Sequence, residues 1–168
     1  MKLAFHDGEH GTAMLSADKK YRYRLTRHWG DGQGIRIVWI MLNPSVADHE
    51  TNDPTITRCI GFSKRLGSFS LVVVNLFAYR ATEPKELLRV DDPVGPDNLA
   101  ILGEATLGCN MAIAAWGALS NELWMKAKEP LAIIKRFNGL KCLGRTKAGS
   151  PRHPLYLPAG QLLEPWPS

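Results

Sequence analysis

The chain has 168 residues, 45% hydrophobic and 22% charged, with 21 Lys and Arg against 16 Asp and Glu, a formal net charge of +5. That length and balance suit one globular domain with its own core, and exclude a disordered chain, a coiled coil and a small disulfide scaffold. Three cysteines without a CxxC pair read as reduced thiols of a cytoplasmic protein, the apolar runs fall far short of the roughly 20 residues that span a bilayer, and MKLAFHDGEHG holds no signal-peptide apolar region.

Residues 21–27 alternate aromatic or aliphatic with basic side chains, a period of two that predicts a strand with an exposed face. Gly30-Asp31-Gly32-Gln33-Gly34 is a flexible turn, and the apolar run 35–42 (IRIVWIML) is a second strand, expected to pair with the first as an antiparallel hairpin. GDGQG resembles half of a dinucleotide fingerprint, but it stands between two strands rather than between strand and helix. Residues 46–53 are a polar loop. Asp53-Pro54-Thr55 then starts a helix, with Asp as N-cap and Pro in the first position, that runs to Leu66 and stops at Gly67. Residues 69–77 (FSLVVVNLF) are β-branched and continuous, and complete a βαβ unit with a parallel strand pair. Helices are expected at 83–88 and 96–107, a core strand at 111–116, a helix from Ser120 toward Phe137 broken near Pro130, and a short strand at 140–143. The expected architecture is a single three-layer α/β/α domain over residues 1–168, with a mainly parallel central sheet and an N-terminal antiparallel hairpin.

Charge is polarised along the chain. Residues 126–152 hold eight basic side chains against the single Glu129, whereas 91–104 carry Asp91, Asp92, Asp97 and Glu104 with no base. A basic C-terminal third is the footprint that a nucleic-acid or nucleotide binder needs, and a solvated lysine face has the same composition.

Ligands of open α/β sheets bind at the carboxyl ends of parallel strands. The residues expected there are Asn43-Pro44-Ser45 after the first core strand, and Asn75 with Tyr79, Arg80 and Thr82 after the second. Trp116-Gly117 follow the third, and Arg145, Lys147, Arg152 and His153 the last. Asn75 on an otherwise apolar strand is costly to bury without partners. Asp48, His49, Glu50 and Asp53 are metal-type ligands, but without a second cluster at fixed spacing they read as a solvated loop. The spacing of a Walker loop is missing and no GxSxG occurs, while Trp39, Trp116 and Trp124 read as core.

Taken together, MLNPSVADHETNDPTITRCIGFSKRLG, LVVVNLFAYRATEPKEL, DPVGPDN, AAWG and LGRTKAGSPRHPLYLP resemble the bacterial and phage domain-of-unknown-function 1643 family over residues 20–158. That family carries no established activity. The order of motifs also resembles, more distantly, the uracil-DNA glycosylase superfamily: MLNPS at its water-positioning loop, LVVVNLF at its base-reading strand, and SPRHPLYLP at its late His-Pro loop. The resemblance implies a uracil-DNA-glycosylase-like fold and an N-glycosidic hydrolase. Asn43 would position water, flanked by Pro44 and Ser45, and Asn75 would read the base. Phe62 would stack on it, Trp116-Gly117 would border the pocket, and His153 would donate to the developing oxyanion. Arg145, Lys147 and Arg152 would hold phosphates, and Leu155 or Tyr156 would fill the gap left by a flipped base. No metal or cofactor is implied. The chain departs from the superfamily at Met41, where a Gly is usual, at Ser45, and at RHPLYLP, which lacks the phosphate-gripping serine. The functional expectation is a domain that binds a nucleobase, nucleotide or nucleic acid and hydrolyses an N-glycosidic bond. Its alternative is a non-catalytic binding module that kept the cleft.

Overall fold

The structure is a computed structural model that describes residues 3–8, 11–45 and 47–167; Val46, in the predicted polar loop, lies outside the described residues. It is an α/β fold with one mixed sheet of eight strands in the order β1-β2-β3-β5-β4-β6-β7-β8. The strands are β1 (Leu3–Gly8), β2 (Gly11–Ser16), β3 (Arg22–His28), β4 (Ile35–Met41), β5 (Ser68–Asn75), β6 (Met111–Ala114), β7 (Lys141–Cys142) and β8 (Glu164–Pro165). Four helices accompany them: α1 (Pro54–Arg65), α2 (Asn98–Leu107), α3 (Asn121–Lys126) and α4 (Lys128–Ile134).

The four strands expected in the core, β5, β4, β6 and β7, are parallel neighbours. The sheet as a whole is not mainly parallel, because β1, β2 and β3 extend one side in antiparallel fashion and β8 closes the other. The predicted hairpin of residues 21–27 with 35–42 is also corrected. β3 and β4 are not partners: β5 lies between them, antiparallel to β3 and parallel to β4. β4 and β5 share seven aligned residue pairs, the four from Ile37↔Leu71 to Ile40↔Val74 apolar on both sides, which β3 could match only along its few apolar positions. The hairpins that do form, β1–β2 and β2–β3, use a segment whose polar, glycine-interrupted start (LAFHDG) gave no strand periodicity.

Side-chain alternation along β4 and β5 divides the core. Ile37, Trp39, Met41, Leu71 and Val73 pack with Ile56, Cys59 and Phe62 of α1, whereas Val38, Ile40 and Val74 pack with Leu102 of α2, Leu123 of α3, and Leu131 and Ile134 of α4. Asp53 caps α1 by accepting from the Ile56 amide at 2.8 Å, with Pro54 in the first turn. Gly67, at φ +76°, ends it, a conformation that any other residue would hold under strain. The Trp39 indole donates to Ser63 Oγ at 2.9 Å and fixes α1 on the sheet. The break predicted near Pro130 falls at Ala127, which closes α3; Pro130 then sits in the first turn of α4, where its missing N–H costs no helical bond.

Strand β3 differs from its sequence pattern in one consequential way. Arg22 and Arg27 are each only 3% exposed, so the predicted open basic face is covered. Its cover is the loop from Ala47 to Asn52. Arg27 donates from Nε to Asn52 Oδ1 at 2.7 Å, and from its two terminal nitrogens to the carbonyls of Thr26, Asp48 and Thr51. Among the described residues no helix is long and apolar enough to cross a membrane, and the three cysteines are free thiols.

Candidate functional site

The connections leaving β4 run through α1 on one face of the sheet to β5, and those leaving β5 run through α2 on the other face to β6, on the opposite side of β4. Such a reversal opens a crevice at the carboxyl ends of the strands. A cavity of about 480 Å³ occupies that position. Its wall includes Asn43 and Ser45 beyond β4, Asn75 at the end of β5, Trp116 and Gly117 beyond β6, and His153, Leu155 and Tyr156 of the late loop. Those residues are scattered over more than a hundred positions of sequence. The late loop is brought in by α1, whose Arg58 donates to the Leu157 carbonyl and whose Arg65 donates to the carbonyls of Ala159 and Gln161.

Asn75 is 1% exposed, and neither its Nδ2 nor its Oδ1 has a hydrogen-bond partner among the described residues. Its backbone, by contrast, is firmly held. The first residue of α2, Asn98, donates to the carbonyls of Asn75 at 3.0 Å and Leu76 at 3.2 Å. A buried, unpaired primary amide on a cavity wall offers one donor and one acceptor side by side, the pattern that matches an amide edge of a nucleobase. Trp116 is also buried beside the cavity with its Nε1 unpartnered.

The amide of Asn43 is spoken for on one side. Nδ2 donates to the carbonyls of Ala81 at 2.7 Å and Pro44 at 3.1 Å, and because both partners are carbonyls the amide orientation is fixed. Oδ1 is left as the free acceptor among the described residues. The Leu155 amide donates to His153 Nδ1 at 3.3 Å, so the proton of the neutral ring resides on Nε2. Burial pushes the His153 pKa down from its ordinary value, against a weaker opposite pull from Asp53, and the neutral donor tautomer is the form favoured. Gly117, at φ +78°, is required by its left-handed backbone rather than by space, since a Cβ there would stand 3.6 Å from His153 Cβ, an ordinary van der Waals contact.

Several expected residues lie elsewhere. Phe62 is a core residue, 3% exposed and 6.1 Å from the Trp39 ring, because its position on α1 shares the inward face with Ile56 and Cys59. The guanidiniums of Arg58 and Arg65 lie 5.2 Å from its centroid, so no base can stack there. Pro44 is buried behind the wall, where its carbonyl also accepts from the Ala81 amide at 3.0 Å. Arg145 is ion-paired with Glu164 at 3.0 Å, and Lys147 and Arg152 are exposed on the loop before His153. None of the eight basic residues of the 126–152 segment lines the cavity.

Three ionisable residues outside the expected site also line it, Asp53, Arg22 and Glu83. The Asp-Pro-Thr helix start, directly after the loop of the first motif, was a legible cue for Asp53. Arg22 had none, because a bulge delivers it. The β2–β3 register steps from Met14↔Arg24 to Leu15↔Arg22, which leaves Tyr23 as the extra residue. Arg22 is thereby turned to the side of Leu25 and Arg27, while Tyr23 packs against Ile101 of α2.

The fold is α/β, with a crevice at the carboxyl ends of its parallel strands. The chain belongs to the family described as protein of unknown function (DUF1643), whose model matches residues 22–155. No curated protein and no solved structure matches it.

Proposed function

We propose that the crevice binds a nucleobase, as a nucleotide or within nucleic acid, and that its chemistry is hydrolysis of an N-glycosidic bond on a uracil-DNA-glycosylase-like arrangement of motifs. The observation that carries the reading is the buried, unpaired amide of Asn75 facing a cavity shared with Asn43 and His153. A base that pairs its own donor and acceptor with this amide would relieve two desolvated groups at once.

The remaining groups suit the bond cleavage. As the C1′–N bond breaks, its electron pair passes to the base, and negative charge collects on the base carbonyl oxygen. His153 Nε2–H is a neutral donor for that oxygen, and donors of this type are typically worth about 3–4 kcal/mol. On the other side a water must be oriented and must lose a proton as its oxygen bonds to C1′. Asn43 Oδ1 orients it. The Asp53 carboxylate, which uses Oδ1 for the helix cap and retains Oδ2, takes the proton.

Incubation with single-stranded and duplex DNA carrying uracil, hypoxanthine and other altered bases, followed by scoring of abasic sites, tests the chemistry. Wild type should generate them, and Asp53→Asn, which keeps the helix cap, should lose at least a hundredfold in rate. Absence of abasic sites and of free base on the whole panel sinks the hydrolytic reading. Binding without cleavage is the second reading. It is favoured by the Asn43 amide, whose two backbone bonds give it a loop-clamping role independent of any reaction.

A further inference from the structure

The two buried arginines of β3 are alike in exposure and unlike in satisfaction. Arg27 places its guanidinium against four oxygens of the covering loop and its own strand. Arg22, on the same face, donates among the described residues from Nη1 alone, to the Ala47 carbonyl, and its buried Nε has no partner among them. No carboxylate stands within 4 Å of it among the described residues. A guanidinium carries five N–H donors and cannot shed its charge by deprotonating at neutral pH, so an underbonded one deep in a protein is costly unless an anion meets it.

From this we infer that Arg22 receives an oxyanion of the ligand, and that the cavity therefore takes a phosphate-bearing compound. The inference rests on the crevice being the ligand site and supplies what the base-reading amide does not, the class of substrate. Three further observations agree. The antiparallel run of β3 brings its first residue to the carboxyl edge of β5, with the Arg22 amide donating to the Ala78 carbonyl at 2.9 Å, so the cation stands at the same end of the sheet as Asn75. A bulge, rather than regular pairing, puts it there. The half-buried Arg80 lines an adjoining recess of about 290 Å³, with Glu86, that shares Ser45, Ala81 and Thr82 with the cavity; its Nη1 donates to the Lys19 carbonyl at 3.3 Å, while its Nε is buried and has no partner among the described residues. The buried, underbonded guanidinium of Arg22, with Arg80 beside it and Asn75 at the same strand edge, forms a receptor for a phosphate next to a base. Asp53 and Asp48 favour the charged form of Arg22, Arg80 and Arg27 oppose it, and burial, the largest influence, pushes its pKa down to about 10; Glu83 lines the same cavity without an ion pair to Arg22. The basic 126–152 segment, outside the wall, is not needed for this contact.

The phosphate could be the monoester of a mononucleotide or a diester of a strand, and the test separates them. Wild type, Arg22→Met and Arg22→Lys are titrated calorimetrically with a panel of nucleosides, their 5′-monophosphates, a single-stranded oligonucleotide and inorganic phosphate alone. Arg22→Met removes an underbonded buried charge at similar volume, so it should fold at least as well as wild type in chemical denaturation. In wild type a monophosphate should bind roughly tenfold or more tightly than its nucleoside, as expected for charge-assisted bonds. Arg22→Met should abolish that ratio while holding nucleoside affinity within about threefold, and Arg22→Lys should restore part of it. A larger gain with the oligonucleotide, lost in the same variant, assigns the site to a strand phosphate. Equal affinity for nucleoside and monophosphate, or a preference that survives Arg22→Met, overturns the inference while leaving the base-binding reading intact. An Arg22-dependent response to inorganic phosphate with no nucleoside binding does the reverse, supporting the anion site and removing the base.

Discussion

Replacing Asn75 by Leu should make the ligand-free protein more stable. The side chain is 1% exposed and neither polar atom is bonded, so the native state carries two desolvated groups that the unfolded chain would hydrate. At roughly 1 kcal/mol each, the low end for an unsatisfied buried group, their removal returns about 2 kcal/mol. Leu has the same branched outline as Asn, and the cavity that Asn75 lines beside Val73 and Met41 takes up its larger methyl groups, so overpacking is small. For a domain of this length the gain corresponds to a rise in Tm of about 4–8 °C. Differential scanning calorimetry of wild type and variant without ligand reads it directly, and the same variant should lose binding of any base. A fall in stability of 1 kcal/mol or more would refute the reasoning, since it would mean that the amide is bonded in the native state and holds the fold together.

Three further outcomes follow from the geometry. His153 has a folded pKa below its unfolded value of about 6.5, so its contribution is present above that pH and is lost as pH falls through the folded value. Urea denaturation at intervals between about pH 5 and 8 should show wild type weakening on the acid side relative to His153→Gln, and parallel profiles would contradict the assignment. Gly117→Ala should cost about 1–2 kcal/mol through its left-handed backbone, the space beside it being sufficient for a methyl; a neutral effect on denaturation would show that the conformation is not required. Arg27→Met strips four acceptors of their donor and should cost about 3 kcal/mol, with faster amide exchange across residues 47–52. Unchanged exchange there would remove Arg27 from the role of loop anchor.

Much of the parallel core was legible because its strands are apolar and continuous, as in IRIVWIML and LVVVNLF, and because Asp53-Pro54 and Gly67 bracket α1 with ordinary capping chemistry. The neighbours of β3 were not. A strand of alternating basic residues carries no mark of which partner it takes, and the choice of β5 over β4 is made by tertiary pairing. Asn43, Asn75 and His153 stood out as polar residues at strand ends, and they share one cavity. Phe62 misled because an aromatic in a helix looks the same from sequence whether it faces a ligand or the core. Charge misled in the other direction. The lysine-rich segment drew notice by its composition, yet the cation on the cavity wall is Arg22, whose direction depends on one extra residue in a strand. Register and bulges are set by packing across the sheet, and a linear pattern does not record them.

The central claim is that the Asn75 side chain meets a base in the crevice. Nitrogen-15 NMR of the full chain tests it most directly, with the Asn75 side-chain amide pair assigned by its disappearance in Asn75→Leu. On titration with a panel of nucleoside 5′-monophosphates and a mixed-sequence oligonucleotide, that pair should shift together with the backbone amides of Gly117 and Leu155. If none of these ligands moves the Asn75 amide while the protein remains folded, the crevice is not a nucleobase site.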